Sequence, residues 1–177
     1  MITIYFEPHS ITTDNENHLA SGWNDVDLSA EGVKLLNEQW PARYKDRFVD
    51  AIFCSDMQRS YKCGAVIAKD KHIPIYIDSR LRECNYGELT QKDKKVVDAE
   101  KPKRISTPFP EGESYQQCME RMDDFLNMLR DQFQDKTVVI IGHRATQYGL
   151  EHHINGKDIL TCVTEPWTYQ PGWKYEF

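Results

Sequence analysis

The chain has 177 residues, 40% of them apolar, with 28 acidic against 22 basic side chains and a net charge of -6. That length supports one substantial core but is short for two, so a single domain over residues 1–177 is expected. The acidic balance argues against a general nucleic-acid or membrane-surface binder, whose basic face neutralises phosphates, so any phosphate site must be basic locally.

In chain order, Ile2 to Pro8 is a β-favouring run that ends at His9. Residues 10–29 are rich in Ser, Thr, Asn, Asp and Gly and read as a long loop past the strand's carboxyl end, a length that usually carries function. Ser29 is a helix cap, with Val33, Leu36 and Trp40 on one face and Pro41 kinking or ending the helix. Ala51 to Cys54 is a second strand. Ser55 or Asp56 caps the helix after it, where Met57, Tyr61, Ala65 and Ala68 share a face and Arg59 falls in the first turn. Ile73 to Ile77 is a short strand near a sheet edge, because Pro74 cannot donate to a ladder. Residues 91–113, with Pro102, Pro108 and Pro110, read as a surface excursion and a lid candidate. From Ser114, the recurrence of Tyr115, Cys118, Met122, Phe125, Leu129 and Phe133 marks the strongest amphipathic helix. A strand over Thr137 to Ile141 follows, then a helix from about Ala145 to Asn155 stopped by Gly156, and a final strand through Trp173, Tyr175 and Phe177. Strands alternating with helices imply an α/β fold.

Cys54, Cys63, Cys84, Cys118 and Cys162 are odd in number, lack paired spacing and sit mostly in apolar segments, as reduced core thiols do. The sequence opens on a strand pattern with no basic leader and long apolar stretch, so a cytoplasmic protein is expected.

The chemistry lies at strand ends. In an open α/β sheet the ligand crevice lies beyond the carboxyl ends of the strands, so His9 and His143 can face one substrate. A neutral imidazole can attack phosphorus, and a second can donate a hydrogen bond to the growing negative charge. Taken singly, each histidine is more often a ring satisfied by backbone; two at two strand ends raise the case for a site. Arg59 joins a planar five-donor fork to a helix N-terminus, which suits phosphate, although a solvated arginine has the same pattern. Glu83, within Arg80-Leu-Arg-Glu-Cys-Asn-Tyr-Gly87, can give a proton to a leaving oxygen and take one from water. No metal site is expected: beside His18, the adjacent His152 and His153 project about 100° apart on a helix, and the sequence has no HExxH or paired-cysteine spacing.

These motifs resemble the histidine phosphatase superfamily, which includes the cofactor-dependent phosphoglycerate mutases. From His9 the stretch through Asn15, Gly22, Trp23, Leu28 and Gly32 is similar to the family's opening. Ser55-Asp-Met-Gln-Arg59 resembles its Ser-x-x-x-Arg, Leu-Arg-Glu83-x-x-Tyr-Gly its proton donor, and Gly142-His143 its second histidine; Pro110-Glu-Gly-Glu-Ser114 resembles a segment before the long helix. The resemblance implies a three-layer α/β/α sandwich around a mostly parallel sheet, with neither metal nor organic cofactor. It implies that His9 becomes a phosphohistidine, that Glu83 is acid and then base, and that Arg59, His143 and Asn15 hold the phosphoryl oxygens.

One departure stands out. The family's Arg-His-Gly reads Pro8-His9-Ser10 here, and losing one such donor is worth about 3 to 4 kcal/mol of transition-state stabilisation. Arg144 is expected to supply the missing guanidinium, with Arg82 a weaker substitute and Ser10 an added hydroxyl donor. The segment after Glu83 is short and lacks the mutases' paired arginines, which favours a phosphatase on a small phosphomonoester over a mutase. The competing class is a phosphate-ligand binding or regulatory protein that has lost turnover. Tyr86 and residues 84–113 would set specificity, and nothing in the chain indicates an oligomeric state.

Overall fold

The computed structural model describes residues 1–69 and 71–177. A five-stranded sheet runs in the order β3-β2-β4-β1-β5. Its strands are β1 (Thr3–Pro8), β2 (Ala51–Cys54), β3 (Ile75–Ile77), β4 (Thr137–Gly142) and β5 (Trp173–Glu176). The first four are mutually parallel and β5 is antiparallel to β1. In the centre, β4 carries an unbroken Val138-Val-Ile-Ile141 run, as a strand covered on both faces requires. Ile4, Phe6, Val138 and Ile140 point to one face, against Met122, Phe125, Leu129 and Leu150. Ile52, Val139 and Ile141 point to the other, against Leu36, Trp40, Cys63 and Ile67. This is a three-layer α/β/α sandwich, with α5 (Tyr115–Gln132) and α6 (Arg144–His153) on the first face and α2 (Ala30–Tyr44) and α3 (Gln58–Ala68) on the second.

Several local expectations need correction. Pro41 does not end α2, which continues to Tyr44. The buried stripe of α2 is Gly32, Leu36, Trp40 and Tyr44, an i, i+4 series, while Val33 is 45% exposed. Helix α3 starts after Met57 with no side-chain cap, because Ser55 and Asp56 bond other partners. Its buried face is Arg59, Ser60, Cys63, Gly64 and Ile67, one step round from Tyr61, Ala65 and Ala68. The long first loop contains α1 (Thr13–Glu16), closed by a Thr12/Asn15 capping box.

Residues 91–113 are less of an excursion than expected. They hold α4 (Lys94–Glu100) and a 3-10 turn over Lys101–Arg104, and they bury Val97 and Phe109 against Tyr86, Tyr115 and Tyr148. Helix α6 begins one residue earlier than read, at Arg144, and α7 (Ile159–Thr164), capped by Asp158, was not anticipated. All five cysteines are buried and unpaired. Among the described residues no helix is long and apolar enough to cross a membrane.

Candidate active site

Strands β1 and β4 are parallel neighbours with Pro8 opposite Gly142, so their carboxyl ends coincide. The His9 N–H continues the ladder to the Gly142 carbonyl at 3.0 Å. That register brings the two imidazoles together, with ring centroids 5.1 Å apart.

His9 Nδ1 lies 2.7 Å from the Ser10 carbonyl oxygen. A carbonyl only accepts, so Nδ1 carries the proton and Nε2 keeps its lone pair. Burial first, and the Arg59 guanidinium second, push the His9 pKa down to about 3, so the ring is neutral near pH 7. His143 is buried, with Nε2 2.7 Å from Ser55 Oγ. Burial, then Arg59 and His9, hold its pKa well below the ordinary histidine value.

Arg59 is only 1% exposed. Its Nη1 and Nη2 donate to the Asn24 and Gly22 carbonyls, each at 2.8 Å, fastening the loop beyond β1 to the start of α3. Nε is buried without a partner among the described residues.

Glu83 is held by main chain. Its Oε1 accepts from the N–H groups of Cys84 at 2.8 Å and Ala145 at 3.1 Å, and Oε2 accepts from Arg144 N–H at 3.1 Å. Arg144 and Ala145 open α6, where N–H groups lack intrahelical acceptors and the helix dipole favours a carboxylate. Oε2, with one donor, has room for a proton. Behind it, the Glu83 carbonyl accepts from Trp23 Nε1 at 2.7 Å and Arg121 Nη2 at 3.0 Å. Arg121 also donates to the Arg80 and Arg82 carbonyls at 2.6 and 2.8 Å and pairs with Glu113 at 3.1 Å.

His9, Arg59, Glu83 and His143 all line one cavity of about 850 Å³, together with Asn15, Ser10, Tyr86 and Arg144. Asn15 Oδ1 accepts from Thr12 N–H at 3.0 Å, which leaves its Nδ2 donor for a ligand. The Arg144 guanidinium lies 4.9 Å from the Tyr148 ring centre and 4.6 Å from that of Trp167. One nitrogen donates to Tyr148 Oη at 3.2 Å, and the other, Nη1, is buried with no partner among the described residues.

Two expected contributors are differently employed. Arg82 forms a bidentate pair with Asp56 at 2.7 and 2.5 Å, stacks 4.5 Å from the Trp23 ring centre, and is not part of the cavity wall. Ser10 does reach the wall, but its hydroxyl donates to the Gly32 carbonyl at 2.8 Å.

The wall also includes residues that sequence reasoning missed. Lys101 reaches in from the segment after α4, its Nζ 2.7 Å from Asp98 and 3.4 Å from Tyr148 Oη. In a run of surface-like lysines nothing marks it out. Arg43, Trp40 and Trp167 close another side. Arg43 answers the fully buried Glu7 at 3.1 Å, while Tyr44 donates to the same carboxylate at 3.0 Å. Burial outweighs both partners and raises the Glu7 pKa. Elsewhere, His152 and His153 meet the Lys157 and Met119 carbonyls at 2.8 Å. The buried Cys84 and Cys118 converge with the half-buried Glu113, but the Arg121 cation already bonds the last two named, Cys118 and Glu113.

Comparison with known proteins bears on the fold and the family. Among curated proteins, the chain is 29% identical over 151 residues to "Probable phosphoglycerate mutase GpmB" of Escherichia coli (strain K12 / DH10B), covering 81% of this chain and 70% of that protein. Among solved structures, Bacillus stearothermophilus YhfR superposes with a TM-score of 0.81 at 22% identity, covering 96% of this chain and 87% of that one. The alpha-ribazole phosphatase of Shigella flexneri superposes with a TM-score of 0.78 at 19% identity, over 90% and 83% of the two chains. At these identities the structural likeness is one of fold. The family model described as histidine phosphatase superfamily (branch 1) matches residues 4–162, the greater part of the chain, and the chain belongs to that superfamily.

Proposed function

We propose that this protein is a phosphatase that hydrolyses a small phosphomonoester through a phosphohistidine at His9, with protein side chains supplying the chemistry. The observation that carries the reading is the 2.7 Å bond from His9 Nδ1 to the Ser10 carbonyl, which leaves Nε2 unprotonated in a cavity shared with Arg59, His143 and Glu83. In the first step the Nε2 lone pair forms the N–P bond as the bond from phosphorus to the leaving oxygen breaks. Glu83 Oε2 gives its proton to that oxygen, and the alcohol departs. In the second step Glu83 takes a proton from water, whose oxygen attacks phosphorus. The N–P bond breaks, returning its electron pair to Nε2 and releasing inorganic phosphate. Arg59, His143 and the Asn15 amide hold the phosphoryl oxygens, and the unpartnered Arg144 Nη1 stands in for the arginine that Pro8 replaces. Five unpaired cysteines fit a reducing, cytoplasmic setting.

A mutase would use the same first step and return the phosphoryl group to an organic acceptor. A binding protein would hold the anion without turnover, a reading that the absent arginine favours. The test is release of nitrophenolate from p-nitrophenyl phosphate, with chelator present, by wild type and His9→Ala, combined with trapping of a radiolabelled phosphoryl-enzyme. Steady release abolished by the substitution, with label on His9, is expected. Equal, negligible rates and no label would refute turnover and leave the binding protein.

A further inference from the structure

Glu7 is the one charged residue of β1, and it is fully buried two positions before His9. A buried ion pair seldom improves on apolar side chains of similar volume, so stability alone does not account for it. What the carboxylate does is set Arg43. One guanidinium nitrogen of Arg43 donates to Glu7 Oε2 at 3.1 Å and the other to Gln39 Oε1 at 3.0 Å, while Tyr44 donates to Glu7 Oε1 at 3.0 Å. The cation lies 5.6 Å from the ring centre of Trp40 and 5.8 Å from that of Tyr169. The Arg43 side chain is 17% exposed and the carboxylate behind it not at all, so the pair shows the cavity only its donor side.

Leu35, Gln39 and Arg43 recur every four residues along α2 and all line the cavity, joined by Trp40 and, from the segment before β5, by Tyr169. This arm differs chemically from the phosphoryl end. There Arg59 bonds main-chain carbonyls and Arg144 a tyrosine hydroxyl, so neither charge is matched by a contacting carboxylate, as suits a phosphoryl group. Arg43 is matched by Glu7, and the arm offers hydrogen bonds without spare charge. A guanidinium has five N–H groups, so two bonds leave donors over; Gln39 adds its amide and Tyr169 its hydroxyl. The rings add apolar contact. A carbon skeleton bearing many hydroxyls satisfies this mixture. A second anion would find no unmatched cation in the arm, and an alkyl chain would leave its donors unpaired.

We propose that Arg43, Gln39 and Tyr169 form a leaving-group subsite for a neutral, hydroxyl-rich alcohol, which makes the substrate a sugar or polyol phosphate. The proposal deepens the phosphatase reading and rests on it for the phosphoryl end of the ligand.

Three six-carbon phosphate esters separate the possibilities: sorbitol 6-phosphate, neutral and hydroxylated; hexyl phosphate, apolar; and 6-phosphogluconate, with a second anion at its far end. Binding is measured by isothermal titration calorimetry on the His9→Ala protein, which has no nucleophile at residue 9 and keeps each ester intact. Sorbitol 6-phosphate is expected to bind best, about tenfold tighter than hexyl phosphate, the worth of one or two hydrogen bonds. Arg43→Met alone would strand the Glu7 charge, so the arm is tested with Glu7→Gln/Arg43→Met together and, separately, with Gln39→Leu, each verified as folded by circular dichroism. Both should bring sorbitol 6-phosphate down toward hexyl phosphate. Hexyl phosphate binding as well as sorbitol 6-phosphate, 6-phosphogluconate binding best, or two folded variants with unchanged affinity for sorbitol 6-phosphate would each overturn the assignment. Failure of the phosphatase reading shows separately, as no phosphate released from any of the three esters by the wild-type protein while the binding order stands.

Discussion

Acidification tests the environment of His9 in free-energy terms. Burial and then Arg59 hold its pKa at about 3, against 6.5 for an unperturbed ring. Between those values the unfolded chain binds a proton that the folded chain refuses. Stability from this group is therefore fully present above pH 6.5 and is lost as pH falls toward 3. On the order of 2 kcal/mol should go between about pH 7.5 and 5, and roughly 1.4 kcal/mol per further unit after that. The assay is urea unfolding at the two pH values for wild type and His9→Gln, whose amide does not titrate. Other groups titrate in both proteins, so the difference reports residue 9. With a slope of about 2 kcal/mol per molar, the wild-type midpoint should fall on the order of 1 M further than that of the variant. Activity carries the same signature. An ordinary imidazole would be about 3% neutral at pH 5 and this one nearly all neutral, so nucleophile protonation should impose no acid limb above pH 4 or so. Equal midpoint losses in the two proteins would refute the depressed pKa and the desolvated site behind it.

Three further outcomes follow. Arg144→Ala should lower kcat/KM for phosphomonoesters about a hundredfold while inorganic-phosphate binding weakens in parallel; unchanged kinetics would remove Arg144 from the phosphate site. Glu83→Gln should slow hydrolysis of alkyl phosphates far more than of nitrophenyl phosphate, whose leaving oxygen scarcely needs a proton; an equal loss on both, from parallel initial rates, would argue against an acid at residue 83. Gly87→Ala should destabilise by at least about 2 kcal/mol in thermal or urea melts, because φ is +49° there and an added Cβ would lie 1.9 Å from the Pro110 carbonyl oxygen.

The central fold was legible wherever one pattern had one solution. The unbroken apolar β4, the alternating buried positions of β1 and the stripe from Tyr115 to Leu129 each admit a single burial scheme, and they place His9, Arg59, Glu83 and His143 at one end of the sheet. Helix α3 was less legible because its inward face carries Arg59, Ser60 and Gly64, residues whose burial depends on carbonyls supplied by distant loops and on close contact with β2. Arg82 and Arg144 look alike in sequence. Only the arrival of Asp56 beside one and of Tyr148 and Trp167 beside the other separates an ion pair from a free donor. Lys101 was hidden for the same reason, since the depth of a lysine depends on how the chain around it folds back.

The fastening of the Glu83 carboxylate has an evolutionary consequence. Its three partners are peptide N–H groups, which every amino acid except proline possesses. Ordinary point changes at Cys84, Arg144 or Ala145 therefore leave those anchors in place, whereas a partner built from side chains could be deleted by a single codon. Lineages descended from such an ancestor vary the other residues of the cavity wall while inheriting the placement of this carboxylate undisturbed.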